Sequence, residues 1–420
     1  MDNRNLMGII FIAAGLVMIG YAIYKVIYYF VRIKNGPAAT GEAMKKEYDK
    51  LLSSLSTGAK RIETDGYTIE IRDCYDREEG KLDPRTEETG KMTREYFKKN
   101  LKSLHPDLIP NEIHLFGPLH KERYSELEYL RTQFGWVSKD RSSAVKTNQI
   151  AMRSSGVDFS VYKYEVPSKD KNRPCMVFFH GGGFFGGIIP TTENQCKLLA
   201  ELSGGVVISV DYPLAPEYKF PAGFNACYET VEWVRDNAGT LGISPGRIAV
   251  CGDSAGGNLA LCCALRARDE GKDMIAYMGL IYPTVTRALD SKDEYYYFDI
   301  SAYANPDEDS YIDEQIHAIG KDAAGLNIIY VPEDEDPMQP YISPITASMN
   351  DLPKTLVMTA EYDFLRLECE ALTGKMARAG VNVRHIRYGG IVHGTFDRLG
   401  YAPQVEDMLR EMAKDMRRLK

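Results

Sequence analysis

Ser254 is the residue of this chain most readily given a chemical role, because Gly252, Ser254 and Gly256 form GxSxG between a strand-like and a helix-like run. Arg247 to Cys251 has strand character, and Asn258 to Arg268 is rich in Ala and Leu, both good helix formers. A sharp turn between the two strains the serine backbone and lifts its Oγ to the end of a sheet. Only glycine leaves room beside such a turn. A serine presented this way can attack an acyl carbonyl, provided a base takes its proton and N–H groups receive the oxyanion. The pentapeptide also arises by chance in many soluble proteins, so the reading depends on those partners.

Candidates for each partner follow apolar, strand-like runs. Pro174 to Phe179 ends in His180-Gly181-Gly182-Gly183, an arrangement that supplies backbone N–H groups to an oxyanion hole. Thr355 to Ala360 runs into Glu361-Tyr362-Asp363, and Val383 to Tyr388 leads through Gly389 and Gly390 to Ile391-Val392-His393-Gly394. Nucleophile, acid and base therefore appear in the chain order of an α/β hydrolase, acid and base each in a loop after a strand. Ser254 would attack, His393 would take and return the proton, and Asp363 would fix the imidazole tautomer. Ala255, with Gly182 and Gly183, would donate to the oxyanion. No metal or organic cofactor is required.

Other groups have plainer readings. His180 is expected to shape the glycine turn with Gly181, and Asp253 cannot span the imidazole from a position adjacent to the serine. His385 lies inside a strand-like run, and His105, His114, His120 and His317 show no metal-ligand spacing. Cys262 and Cys263 are expected to pack as small apolar residues. Gly181, Gly183 and Gly186 also satisfy GxGxxG after a strand, as a dinucleotide site would. That fingerprint normally sits in the first βα turn, whereas here roughly 170 residues precede it and a histidine leads it.

Taken together, HGGGF at His180 to Phe184, DYPLAPE at Asp211 to Glu217, GDSAGG at Gly252 to Gly257, and the later series SPI, LP, AEYDFLR and HG resemble the hormone-sensitive-lipase-like (arylacetamide deacetylase-like) esterases. The resemblance covers about Arg173 to Phe396 and departs from the common pattern at two places. Asp363-Phe364-Leu365 stands where D-P-L is typical, and His393-Gly394-Thr395-Phe396 where HGF is common. It implies an α/β-hydrolase fold, a mostly parallel sheet with helices on both faces and a helical cap. It also implies that residues 41–165 and about 284–340 cover the site and shape its acyl and alcohol pockets.

The positioning elements agree with that class. Of 420 residues, 44% are hydrophobic and 26% charged, enough for one large α/β domain with insertions. Strand-like runs at 174–179, 206–210, 247–251, 278–282, 355–360 and 383–388 alternate with helical stretches. The expected division is a membrane anchor at 1–34, a linker and cap or flanking region at 35–165, and a catalytic domain at 166–420. The net charge of −8 argues against a nucleic-acid partner.

Leu6 to Tyr24 carries no charge and its apolar character continues past Lys25 to Val31, so residues 6–31 are long enough to span a bilayer. A cleaved signal peptide has a shorter apolar core, which favours a retained anchor. Lys25, Arg32, Lys34, Lys45 and Lys46 follow it and only Arg4 precedes it, which by the positive-inside rule puts the catalytic domain in the cytoplasm. Scattered cysteines and the lack of any N-x-[ST] sequon lean the same way. The family resemblance implies instead a lumenal domain, and both placements stay open.

The leading expectation is a membrane-anchored serine carboxylesterase or deacetylase acting on a small-molecule acyl ester of short to medium chain. The alternatives are an amide or sugar deacetylase using the same triad, and a non-catalytic ligand-binding protein on the same fold. The last normally lacks the nucleophile or base, whereas Ser254, Asp363 and His393 are all present.

Overall fold

The structure is a computed structural model that describes residues 42–64, 66–91, 131, 135, 138–304 and 310–420. The chain divides into Met1–Lys46, described only from residue 42, and a compact unit, Glu47–Lys420. Helix α1 (Glu42–Thr57) leads into an antiparallel pair, β1 (Lys60–Thr64) and β2 (Tyr67–Arg72). A second hairpin follows, β3 (Lys146–Ser154) and β4 (Val157–Glu165). The remaining strands are β5 (Arg173–Phe179), β6 (Val206–Asp211), β7 (Ile243–Asp253), β8 (Tyr277–Ile281), β9 (Lys354–Tyr362) and β10 (Val383–Val392). Between and after them lie α2 (Ile189–Ser203), α3 (Ala222–Asp236), α4 (Ala255–Asp269), α5 (Ser310–Tyr330), α6 (Arg366–Arg378) and α7 (Pro403–Arg417).

Among the described residues these strands form one ten-stranded sheet in the order β1-β2-β10-β9-β8-β7-β5-β6-β4-β3. From β2 through β6 every neighbouring pair is parallel. The middle strands read as near-continuous apolar runs because both faces are covered. Every residue of β5 and β8 is buried. Successive side chains on β5 enter opposite cores: Val177 and Phe179 pack with Val231 of α3 and Leu259 of α4, and Met176 and Phe178 pack with Leu199 of α2 and Met408 of α7. This is the three-layer arrangement expected of an α/β fold.

The sequence expectation starts the catalytic domain at residue 166, after a linker and cap or flanking region at 35–165. Residues 60–72 and 146–165 supply β1 to β4, so the described parts of 35–165 extend both edges of the sheet. The physical reason they read poorly is their exposure: β1 has no buried residue and β3 only one, so neither carries an apolar run. The expected insertion at about 284–340 does leave the sheet, between β8 and β9, and contains α5. The expected anchor at 6–31 lies outside the described residues. Among the described residues no helix is long and apolar enough to cross a membrane.

Candidate active site

In a parallel sheet the loops at the carboxyl ends of the strands gather along one edge. There the loop after β5 carries the glycines, the turn after β7 carries Ser254, and the ends of β9 and β10 carry Asp363 and His393. Ser254 has φ 55° and ψ −118°, a left-handed backbone at the start of α4. The turn survives because its flanks lack side chains. A Cβ on Gly252 would overlap the backbone of Gly256, and one on Gly256 would overlap the Phe179 carbonyl oxygen. The turn is then pinned by Ser254 N–H donating to Ile281 O at 2.9 Å and Asn258 N–H donating to Ser254 O at 3.1 Å.

His393 Nε2 lies 2.9 Å from Ser254 Oγ, and His393 Nδ1 lies 2.8 Å from Asp363 Oδ2. Asp363 is fully buried, and its other carboxylate oxygen accepts the Leu365 N–H at 2.9 Å. A carboxylate bonded at Nδ1 fixes that nitrogen as the donor and leaves Nε2 to accept the serine proton. Burial of the His393 imidazole disfavours its charged form, but the charge and hydrogen bond of Asp363 outweigh this and raise its pKa above the ordinary value.

The groups given plainer readings are placed as follows. Asp253 Oδ1 accepts the Gly181 N–H at 2.8 Å, joining the serine turn to the glycine loop, and loss of solvation pushes its carboxyl up to about 7. His180 stacks on Tyr212 with ring centroids 4.4 Å apart, and its own carbonyl accepts the Tyr212 hydroxyl at 2.7 Å. Burial lowers its pKa. His317 lies on α5, His105, His114 and His120 fall outside the described residues, and Cys262 and Cys263 are buried.

The glycine loop turns tightly, with Gly186 N–H donating to Gly182 O at 2.8 Å. Among the described residues the N–H groups of Gly182 and Gly183 meet no protein acceptor, and that of Ala255 sits in the first turn of α4, where none is available within the helix. Gly182, Gly183, Ser254 and His393 border one cavity of about 290 Å³. Its apolar wall is Phe185, Ile319, Leu326 and Leu365, the middle two from α5. Such an arrangement can move a proton from the serine to the imidazole, hold a tetrahedral oxyanion, and accept an uncharged acyl chain.

The closest approach to a metal-like cluster among the described residues is Cys74, Asp76 and Asp83. Arg85 bonds both carboxylates at 2.5 Å, so a guanidinium stands where a cation would.

Two residues near the site carried no sequence signal. Tyr303 donates its hydroxyl to the Asp363 carbonyl at 2.8 Å, and Arg131 reaches the glycine loop. Both come from stretches distant in sequence and without motif character, so no spacing could have revealed them.

A family model described as alpha/beta hydrolase fold matches residues 176–397. The chain is 32% identical over 286 residues to an arylesterase of Saccharolobus solfataricus, covering 67% of this chain and 86% of that protein. It is 34% identical over 238 residues to carboxylesterase NlhH of Mycobacterium tuberculosis (strain ATCC 25618 / H37Rv), covering 56% of this chain and 71% of the relative. Among solved structures it is similar to EstE1, a thermophilic carboxylesterase cloned from a metagenomic library, with TM-score 0.60 and 30% identity over 76% of this chain and all of that one (100%).

Proposed function

The chain belongs to the hormone-sensitive-lipase-like esterases of the α/β-hydrolase fold and is a carboxylic ester hydrolase, and from that premise we propose that Ser254, His393 and Asp363 are its catalytic triad. The carrying observation is the unbroken hydrogen-bond chain from Ser254 Oγ through His393 to Asp363. Ser254 Oγ attacks the ester carbonyl carbon as His393 Nε2 takes its proton. The carbonyl oxygen becomes an oxyanion facing the N–H groups of Gly182, Gly183 and Ala255. Collapse expels the alcohol, which takes the proton from His393 and leaves an acyl-serine. Water then repeats the sequence, His393 returns a proton to Ser254, and the carboxylic acid departs.

The preferred substrates are short- to medium-chain acyl esters, a reading supported by the apolar wall and modest volume of the cavity beside Ser254. Residues 6–31 anchor the protein in a membrane, with the catalytic domain on the cytoplasmic side. The uncharged run and the basic residues that follow it support this placement. Trypsin should therefore digest the catalytic domain in sealed microsomes without detergent, and protection until detergent is added would place it in the lumen.

The activity test uses the detergent-solubilised full chain on p-nitrophenyl acetate, butyrate, octanoate and palmitate, with Ser254→Ala in parallel. Hydrolysis of the shorter esters, abolished in the variant, is the expected result. Equal activity in the variant would remove Ser254 from the mechanism, and a preference for palmitate would overturn the chain-length reading.

A further inference from the structure

We infer that Arg131 is a positioning residue that holds the oxyanion-binding loop in its working shape, an inference that rests on the proposed role of Gly182 and Gly183. Its guanidinium reaches two separate segments at once. Nε donates to the Phe185 carbonyl at 2.6 Å and Nη2 to the Ala215 carbonyl at 2.7 Å. The same fork grips Glu217, with Nη1 at 2.8 Å from Oε1 and Nη2 at 2.5 Å from Oε2. Loss of solvation would raise the Glu217 carboxyl, but the bonds to Arg131 prevail and hold it below the usual range.

The loop needs such a clamp because it holds one residue, Phe184, in an unfavourable backbone conformation. Gly182, Gly183 and Phe184 have φ values of 124°, 61° and 65° in succession, and the last is not a glycine. The glycines adopt theirs at no steric cost, but a chain left to itself escapes the conformation of Phe184, and bonding from outside keeps it. On one side Gly181 is tied to Asp253. On the other, Ala215 N–H donates to Phe184 O at 3.0 Å, next to the carbonyl that Arg131 holds. Arg131 bonds both strips of this contact and fixes the spacing between them. Gly135 also lines the cavity, packed against Thr191.

The geometry thus couples the N-terminal part of the chain to transition-state stabilisation, without a side chain that touches the substrate. Preorganised N–H donors contribute because they need not reorient when charge develops. Loosening the loop therefore falls on the chemical step more than on binding of the ester.

The test measures kcat, KM, melting temperature and affinity for a boronic acid, which forms a tetrahedral adduct with a serine nucleophile, in Arg131→Ala and Arg131→Lys. For Arg131→Ala, kcat on p-nitrophenyl butyrate should fall by about 10- to 100-fold, with KM changed less than about twofold and boronate affinity falling with kcat. A lysine can pair with Glu217 but cannot reproduce the planar fork, so Arg131→Lys should keep the melting temperature and recover only part of kcat. If the alanine variant does not fold, the lysine variant decides by the same measurements. Wild-type kcat in a folded variant, or a kcat loss with unchanged boronate affinity, would overturn the inference. Ser254→Ala keeps the two readings apart: activity there would bring down the triad itself, while its inactivity beside fully active Arg131 variants would remove only the clamp.

Discussion

Strand β10 carries one histidine near its start and delivers another just past its end, and the two surroundings drive the same side chain in opposite directions. His385 is buried between two hydroxyls, with Nδ1 at 2.8 Å from Thr373 Oγ1 and Nε2 at 2.9 Å from Thr359 Oγ1. Thr373 gives its own proton to the Cys369 carbonyl, so its oxygen accepts from His385 Nδ1–H, and Nε2 accepts from Thr359. Burial, reinforced by Arg387 and Arg366, lowers the His385 pKa to about 3 and keeps the ring neutral. His393 is less enclosed and has Asp363 beside it, and although loss of solvation disfavours its charged form, the charge and hydrogen bond of Asp363 raise its pKa. Burial alone silences an imidazole, and burial beside a carboxylate makes it a base able to hold a proton in transit.

Removing the carboxylate should break this contrast most severely. Asp363→Asn is expected to lower kcat by on the order of 10⁴, because the amide no longer fixes the tautomer or balances the imidazolium. The base must be neutral to accept the serine proton, so wild-type kcat/KM should fall as pH drops through the raised His393 pKa. In the variant that acid limb should move to lower pH. A pH profile identical to wild type would show that Asp363 does not set the His393 charge.

Substitution of the interior histidine should do the reverse. His385→Ala leaves a cavity and takes the acceptor from the Thr359 hydroxyl, and is expected to destabilise the fold by about 3 kcal/mol with kcat nearly unchanged. Denaturant unfolding paired with steady-state kinetics checks this, and a kcat loss at full stability would give His385 a part in the reaction.

A smaller effect sharpens the comparison through pH. The folded His385 pKa is depressed, so the stability it contributes is complete above the ordinary value of 6.5 and is lost as pH falls toward 3. Between pH 7 and pH 5 this removes about 2 kcal/mol, which His385→Asn should restore in the pH dependence of unfolding. His393 has the opposite sign: its raised pKa adds stability below 6.5 that disappears as pH rises. His393→Gln should therefore steepen the acid loss that His385→Asn relieves. The smallest expected change is Thr359→Val, which deletes one hydrogen bond to the neutral ring and should cost about 1 kcal/mol without moving the activity profile.

The legibility of the sequence divides along the same physical line as the fold. β5, β7, β9 and β10 are covered on both faces, so they appear as apolar runs and lead the eye to the loops that follow them. Ser254, Asp363 and His393 could be singled out because each stands just past such a run, and the structure brings all three within hydrogen-bonding distance. β1 and β3 are exposed and polar, so no periodicity marked them and residues 35–165 were expected apart from the sheet. Arg131 and Tyr303 act through contacts with carbonyl oxygens, which any residue type offers, and such contacts leave no trace in spacing.

The sheet order also sets which parts of the molecule breathe. The exposed outer strands β1 and β3 have one neighbour each, whereas β5, β7 and β9 are hydrogen-bonded on both sides beneath two packed helical layers. Amide protons of β1 and β3 should exchange with solvent through local fraying, and those of β5 and β7 only when the whole unit opens. Because Ser254 and the glycine loop follow β7 and β5, the reacting groups are moored to the slowest-exchanging strands, and catalysis should persist while the margins of the sheet open and close.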